Sequence, residues 1–216
     1  MSDLTPEEVN AADSEVALAA SPVRKRPKPG ERREQILQTL AAMLEQPGSE
    51  RITTAALAAR LGVSEAALYR HFASKAQMFE GLIEFIETSV FTLIHQRVER
   101  EGFHPEQAAR VVALLLQFGE KNPGMARVMV GDALVFEHER LHLRMNQFFD
   151  RVEAQLRQCL RGATDEPGSA PQPVGVSARA SMMVGFAMGR LQRFARSDFK
   201  RSPTEHLDLV LSWMLP

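Results

Sequence analysis

Cysteine is almost absent from this chain. Cys159 is the one cysteine in 216 residues, so no intramolecular disulfide can form and nothing implies an oxidising compartment. No apolar run approaches the ~18 residues that a membrane span needs. The first residues are acidic and lack an apolar h-region, which argues against a secretory signal and for a cytoplasmic protein. No glycine-rich phosphate loop, carboxylate pair, internal repeat or strand pattern stands out, and the chain reads as a non-enzyme without metal or cofactor. Net charge is scarce too, at −1.

What is present is ordered by charge. Apolar residues make up 44% and charged residues 25%, an ordinary balance for a globular protein of one or two domains. Residues 1–21 hold five acidic side chains and no basic one, whereas residues 22–75 hold ten basic and five acidic ones. A basic block inside a near-neutral chain is a local footprint for a polyanion. Residues 1–30 are expected to be a disordered arm, acidic and then basic through Arg24-Lys25-Arg26-Pro27-Lys28. That basic run serves either as a solvated linker or as a phosphate-contacting arm.

From Glu31 onward the apolar period is helical. Ile36, Leu37, Leu40, Met43 and Leu44 mark a first helix that Pro47-Gly48 ends. Short helices are expected from about Thr53 and after Ser64, a long one from Ser74 to about Arg100, and another from near His104-Pro105 that stops before Asn122-Pro123-Gly124. Pro123 opens a sixth. A long helix spans roughly 137–160, and the last two cover about 177–197 and 202–215. The final one is expected to start on a capping box, Ser202-Pro203-Thr204-Glu205. The fold class is therefore all-α: a helix-turn-helix domain over 31–76 and a helical domain over 77–216, with a flexible linker at about 162–175.

The informative stretch is ITTAALAARLGVSEAALYRHFASK, Ile52 to Lys75. Thr53 can cap one helix with Ile52 and Leu57 as a hydrophobic staple, and Ser64 can cap the next with Val63 and Leu68. Ser74 and Gln77 form a capping box. Gly62 sits where a left-handed turn suits glycine. Helix, glycine turn, helix is the helix-turn-helix pattern. Leu57, Leu61, Val63, Leu68 and Phe72 can converge on Ile36 and Leu40, which turns Glu65, Ala66, Ala67, Tyr69, Arg70 and His71 outward. Small residues at the start of a reading helix let its backbone approach base edges, while Ser64 and Tyr69 suit phosphate.

The run LGVSEAALYRHFASK resembles the DNA-binding domain of TetR-type regulators, with their Y-x-H-F-x-x-K stretch at Tyr69, His71, Phe72 and Lys75. The resemblance implies a three-helix DNA-binding domain, a helical second domain, and a homodimer formed by the last two helices. With the outward face above, the expected DNA-binding set is Arg33, Thr53, Thr54, Ser64, Glu65, Ala66, Ala67, Tyr69, Arg70, His71 and Lys75. From about Glu31 to Leu160, and from Ser177 on, the chain is similar to the nucleoid-occlusion branch of that family, DNA-bound antagonists of the division protein FtsZ. That likeness implies palindromic double-stranded sites, a nucleoid location, and an FtsZ-binding surface at Phe85, Leu114, Gln117, Lys121 and Asn122. Gln117 replaces a glycine there, and Leu93 an arginine. The residues alone say less: Phe85 reads as core, Lys121 as a cation at a helix end, and Asn122 as a cap before Pro123.

Three features carry alternatives. Gly185, Gly189, Met182, Met183, Phe186, Leu191, Phe194, Leu207, Val210, Leu211 and Trp213 offer a dimer face, or they close a monomer core. His138-Glu139-Arg140-Leu141-His142 fits a zinc-hydrolase spacing, or is a solvated polar face. The apolar helices of 104–160 could enclose a small hydrophobic ligand, as in a ligand-responsive repressor. Cys159 reads as a small core residue.

Overall fold

Glycines, prolines and short hydroxyl side chains divide this chain into helices at the points where its backbone needs them. The structure, a computed structural model, describes residues 30–46, 51–161 and 173–215. Among the described residues it is helical and has no strand. Its elements are α1 (Glu31–Leu44), α2 (Thr54–Leu61), α3 (Glu65–Tyr69), α4 (Lys75–Glu101), α5 (Pro105–Lys121), α6 (Pro123–Met129), a 3-10 turn (Asp132–Leu134), α7 (Glu139–Arg161), α8 (Pro173–Arg196) and α9 (Leu207–Met214). The arm expected over 1–30 lies outside the described residues except for Gly30.

Two cores form. α1, α2 and α3 close over Ile36, Leu40, Leu57, Leu68 and Phe72, each at 1% exposure or less, with Leu61 and Val63 half-buried at the edge. Each such side chain contributes about 1.5–3 kcal/mol by leaving water. In the larger body α5 is central and packs against α4, α6, α7, α8 and α9. Ile86, Val90, Ile94, Leu115, Leu116, Leu141 and Leu156 are all at 0% exposure there. Phe148 meets Phe91 and Phe149 edge to face, at centroid distances of 5.6 and 5.1 Å. Cys159 is fully buried in this core, and burial pushes its thiol up to about 11.

Several boundaries differ from expectation. Pro173 opens α8, so residues 173–175 of the expected linker are helical and the remainder, 162–172, lies outside the described residues. A proline at a first helical position loses no helix hydrogen bond. The box expected at 202–205 does not form, and α9 begins only at Leu207, after His206 at φ 52°. Glu120 of α5 takes the Ser202 hydroxyl, and accepts from Thr204 Oγ1 at 2.8 Å, so both small side chains are bound sideways to another helix. Asn122 does not cap α6. Its Nδ2 donates back to the Phe118 carbonyl at 2.8 Å, closing α5 instead.

A backbone crossing seats the small domain on the large one, and ion pairs brace the large one beside it. α6 crosses α1 so closely that a Cβ on Gly124 would fall 2.2 Å from the Ala41 carbonyl oxygen. Ion pairs also run between α4 and α7. Arg140 Nε lies 2.8 Å from Glu80 Oε1, and Arg144 grips Glu87 through Nε at 3.3 Å and Nη2 at 2.6 Å. Arg144 Nη1 donates to the Glu80 carbonyl, and the Glu87 hydrogen bonds raise the guanidinium pKa above its ordinary value. Gly124→Ala must separate two backbones and is expected to cost about 1–3 kcal/mol of stability. The check is a urea titration: a midpoint equal to the parent's contradicts the close crossing.

Candidate nucleic-acid interface

The reading unit is built from local rules. Thr53 Oγ1 accepts from the Ala56 N–H at 3.1 Å, and Ser64 Oγ accepts from the Ala67 N–H at 3.3 Å. The staple positions are in place at each cap, with Ile52, Leu57 and Leu68 buried and Val63 packed against the same core. Between the caps Gly62 adopts φ 65°, ψ 37°. Its N–H reaches the Ala59 carbonyl at 3.1 Å and the Val63 N–H reaches that of Ala58 at 3.0 Å, the paired bonds of a Schellman end. Ser74 Oγ accepts from the Gln77 N–H at 3.2 Å, but Gln77 Oε1 accepts from the Ala73 N–H at 2.8 Å, one residue earlier than a capping box requires.

Helix α3 is shorter than the sequence suggests. It spans Glu65–Tyr69, so Arg70 and His71 lie on the turn that follows, held by N–H bonds back to Leu68. The outward set is nonetheless brought together. Ser64, Glu65, Ala66, Tyr69, Arg70 and His71 are exposed, Tyr69 at 46%, with Ala67 half-buried and Thr53 exposed beside them.

Three expected members have engagements of their own. Thr54 Oγ1 donates to Glu65 Oε2 at 2.6 Å and so ties α2 to α3. Exposed Arg33 donates to the His71 carbonyl at 3.2 Å while its guanidinium lies 4.2 Å from the Phe72 ring centre. Lys75 forms a short ion pair with Glu137, whose side chain is only 9% exposed. No local pattern marks Glu137, which lies 62 residues further along the chain.

The five residues of the expected partner surface fall in two neighbouring grooves. Phe85 is 48% exposed rather than core, its ring centroid 6.4 Å from that of Phe118. With Asn122 it lines a cleft of about 370 Å³ against α1, beside Leu37, Leu82 and Met125. Leu114, Gln117 and Lys121 line a second groove of about 600 Å³ between α4 and α5, where Arg97, Arg100 and Arg110 converge. Sequence reasoning missed those three arginines, because two helices must pack before they face one another.

The apolar residues of the last two helices divide. Met183, Leu191, Phe194, Leu207 and Leu211 are buried in the chain's own core, which corrects their reading as dimer face. Met182, Met188, Leu209 and Trp213 remain exposed, Trp213 at 71%, and Gly185 and Gly189 have nothing within 4 Å of a Cβ. The zinc spacing serves the start of α7: His138 Nδ1 accepts from the Arg140 N–H at 3.2 Å, and His142 Nε2 pairs with the Leu134 carbonyl at 2.9 Å. Among the described residues no group of three His, Cys, Asp or Glu could hold a metal ion, and no helix is long and apolar enough to cross a membrane.

Comparison with known proteins agrees with this geometry. Residues 36–82 match the family model of bacterial regulatory proteins, tetR family, and residues 106–215 match the tetracyclin repressor-like, C-terminal domain of SlmA-like proteins. The chain is 53% identical over 178 residues to nucleoid occlusion factor SlmA of Photobacterium profundum, covering 82% of this chain and 90% of that one. It is 52% identical over 182 residues to nucleoid occlusion factor SlmA of Vibrio vulnificus, covering 84% and 92%. The solved structure of the fatty acid degradation regulator FadR from Bacillus halodurans superposes with a TM-score of 0.70 at 16% identity, covering 88% of this chain and 97% of that chain, a likeness of fold alone. The chain belongs to the TetR family of bacterial regulatory proteins, within its group of SlmA-type nucleoid occlusion factors.

Proposed function

We propose that the protein works as a homodimer that binds palindromic chromosomal sites through α2 and α3 and, held there on the nucleoid, antagonises FtsZ polymer assembly. The observation that carries this reading is the identity of about half of all residues, over four-fifths of the chain, to nucleoid occlusion factors. The geometry supports it at three places. The outward row of α3 is free of the core, the α8 and α9 face leaves Met182, Leu209 and Trp213 uncovered for a second copy, and the grooves beside α4 and α5 offer Phe85, Leu114 and Lys121 to a partner. A reader of two half-sites about 34–36 Å apart needs such a two-fold.

The decisive assay pellets FtsZ polymers with and without DNA that carries the site. Pelleting is expected to fall when protein and DNA are both present, and Lys121→Glu is expected to weaken that effect while DNA affinity stays unchanged. Undiminished pelleting in every condition would reduce the protein to a regulator of transcription.

Two substitutions test the DNA face. Tyr69→Ala is expected to weaken site binding at least tenfold, with dimerisation, followed by the emission of Trp213, intact. Normal binding by this variant would refute the orientation assigned to α3. Glu137→Gln releases Lys75 to phosphate. Its affinity is expected to rise at low salt, and the slope of log K against log salt to steepen by about 0.9, the contribution of one more phosphate contact. An unaltered slope means that Glu137 does not compete with DNA for Lys75.

A further inference from the structure

The groove between α4 and α5 is the most one-sided of the clefts described above in charge. Arg97, Arg100, Arg110 and Lys121 line it with Gln96 and Gln117, while Leu93, Ala113 and Leu114 supply a smaller apolar part, and no carboxylate lies in its wall. Glu101 at the rim pairs with Arg97 at 3.6 Å and with Arg110, one carboxylate shared by two guanidiniums. Arg100 and Lys121 have no carboxylate partner among the described residues. Leu93 is 44% exposed, so apolar area is accessible among these charges. An occupant that fits must be acidic, must carry spaced apolar side chains, and must lack cations.

Residues 1–21 of this same chain have that composition. Asp3, Glu7, Glu8, Asp13 and Glu15 alternate with Leu4, Val9, Val16 and Leu18, and no lysine, arginine or histidine interrupts them. We infer that this acidic segment docks in the α4–α5 groove of its own protein and covers it. The described chain starts at Gly30, fifteen residues after Glu15. Fifteen residues reach up to about 50 Å when extended, against a radius of gyration of about 17 Å for a folded chain of this length. Leu93 and Arg100 lie about 27 and 37 Å along α4 from its start, near which α1 begins with Arg33 bound to His71, so the groove is within range, and tethering holds the segment at an effective concentration on the order of millimolar.

The α2–α3 face is the weaker competitor. Its Arg33 is engaged by Phe72 and the His71 carbonyl, its Lys75 by Glu137, and Glu65 stands at the start of α3. Around Tyr69 the outward residues are small or polar, with no apolar floor for Leu4 or Leu18. Charge and apolar area coincide in the groove.

The consequence for function rests on the reading that FtsZ uses this groove: the acidic segment then competes with FtsZ for Leu114 and Lys121. The docking itself does not depend on that reading, and the test separates the two. Cys159 is fully buried with its thiol pushed up, so Ala17→Cys in the full chain takes a spin label selectively. At 50 mM salt the label is expected to broaden the methyl signals of Leu93 and Leu114 at least twofold relative to the reduced label. The signals should recover at 500 mM salt and in the Arg97→Ala/Arg100→Ala variant, because contacts between exposed charges are screened. Unbroadened Leu93 and Leu114 signals, or broadening strongest at Leu57 and Leu61, would overturn the docking. Neutralising all five carboxylates, with Asn for Asp and Gln for Glu, is expected to raise FtsZ affinity about two- to tenfold, the fraction of time a millimolar tether occupies the groove. Broadening with unchanged FtsZ affinity sustains the docking and removes FtsZ from the groove.

Discussion

The crossing of α6 over α1 at Gly124 and Ala41 sets the position of everything that follows. Two backbones in contact cannot slide past one another the way two layers of side chains can, so the three-helix head is located on the body by steric fit. The line of ion pairs from Glu80 and Glu87 to Arg140 and Arg144 then fixes the rotation of α4, the helix that leaves the head and enters the body. Because α3 packs on α2 and α2 on α1, with Leu68 and Phe72 in their shared core, the orientation of Tyr69 is inherited from these remote contacts.

What was legible in the sequence was local. Thr53, Ser64, Ser74 and Gly62 each declare their role within four residues, and the helix starts and the left-handed turn appear where those residues place them. Apolar spacing likewise identified Ile36, Leu40, Leu57, Leu68 and Phe72 as one core. The outward row of α3 followed from that core by subtraction.

What was not legible depended on a neighbour far away in the chain. Ser202 and Thr204 look like a helix start until Glu120 binds their hydroxyls. Lys75 looks like a free phosphate contact until Glu137 folds against it. Phe85 looks like core because five consecutive residues, Leu82 to Ile86, include four large apolar ones, and only the packing of α4 decides which of them the helix leaves outside. Apolar residues on α8 and α9 show the same ambiguity, since one helix face serves the chain's own core while the adjacent face is uncovered.

The outward row of α3 also bears on how such a protein can change over evolutionary time. Both staples, both caps and the glycine turn lie behind Glu65, Ala66, Tyr69 and Arg70, and of these four only Glu65 makes a side-chain bond to the scaffold, to Thr54. Substitutions along that row therefore carry little penalty in folding. A lineage can change the outward surface of α3 while keeping the same helical body.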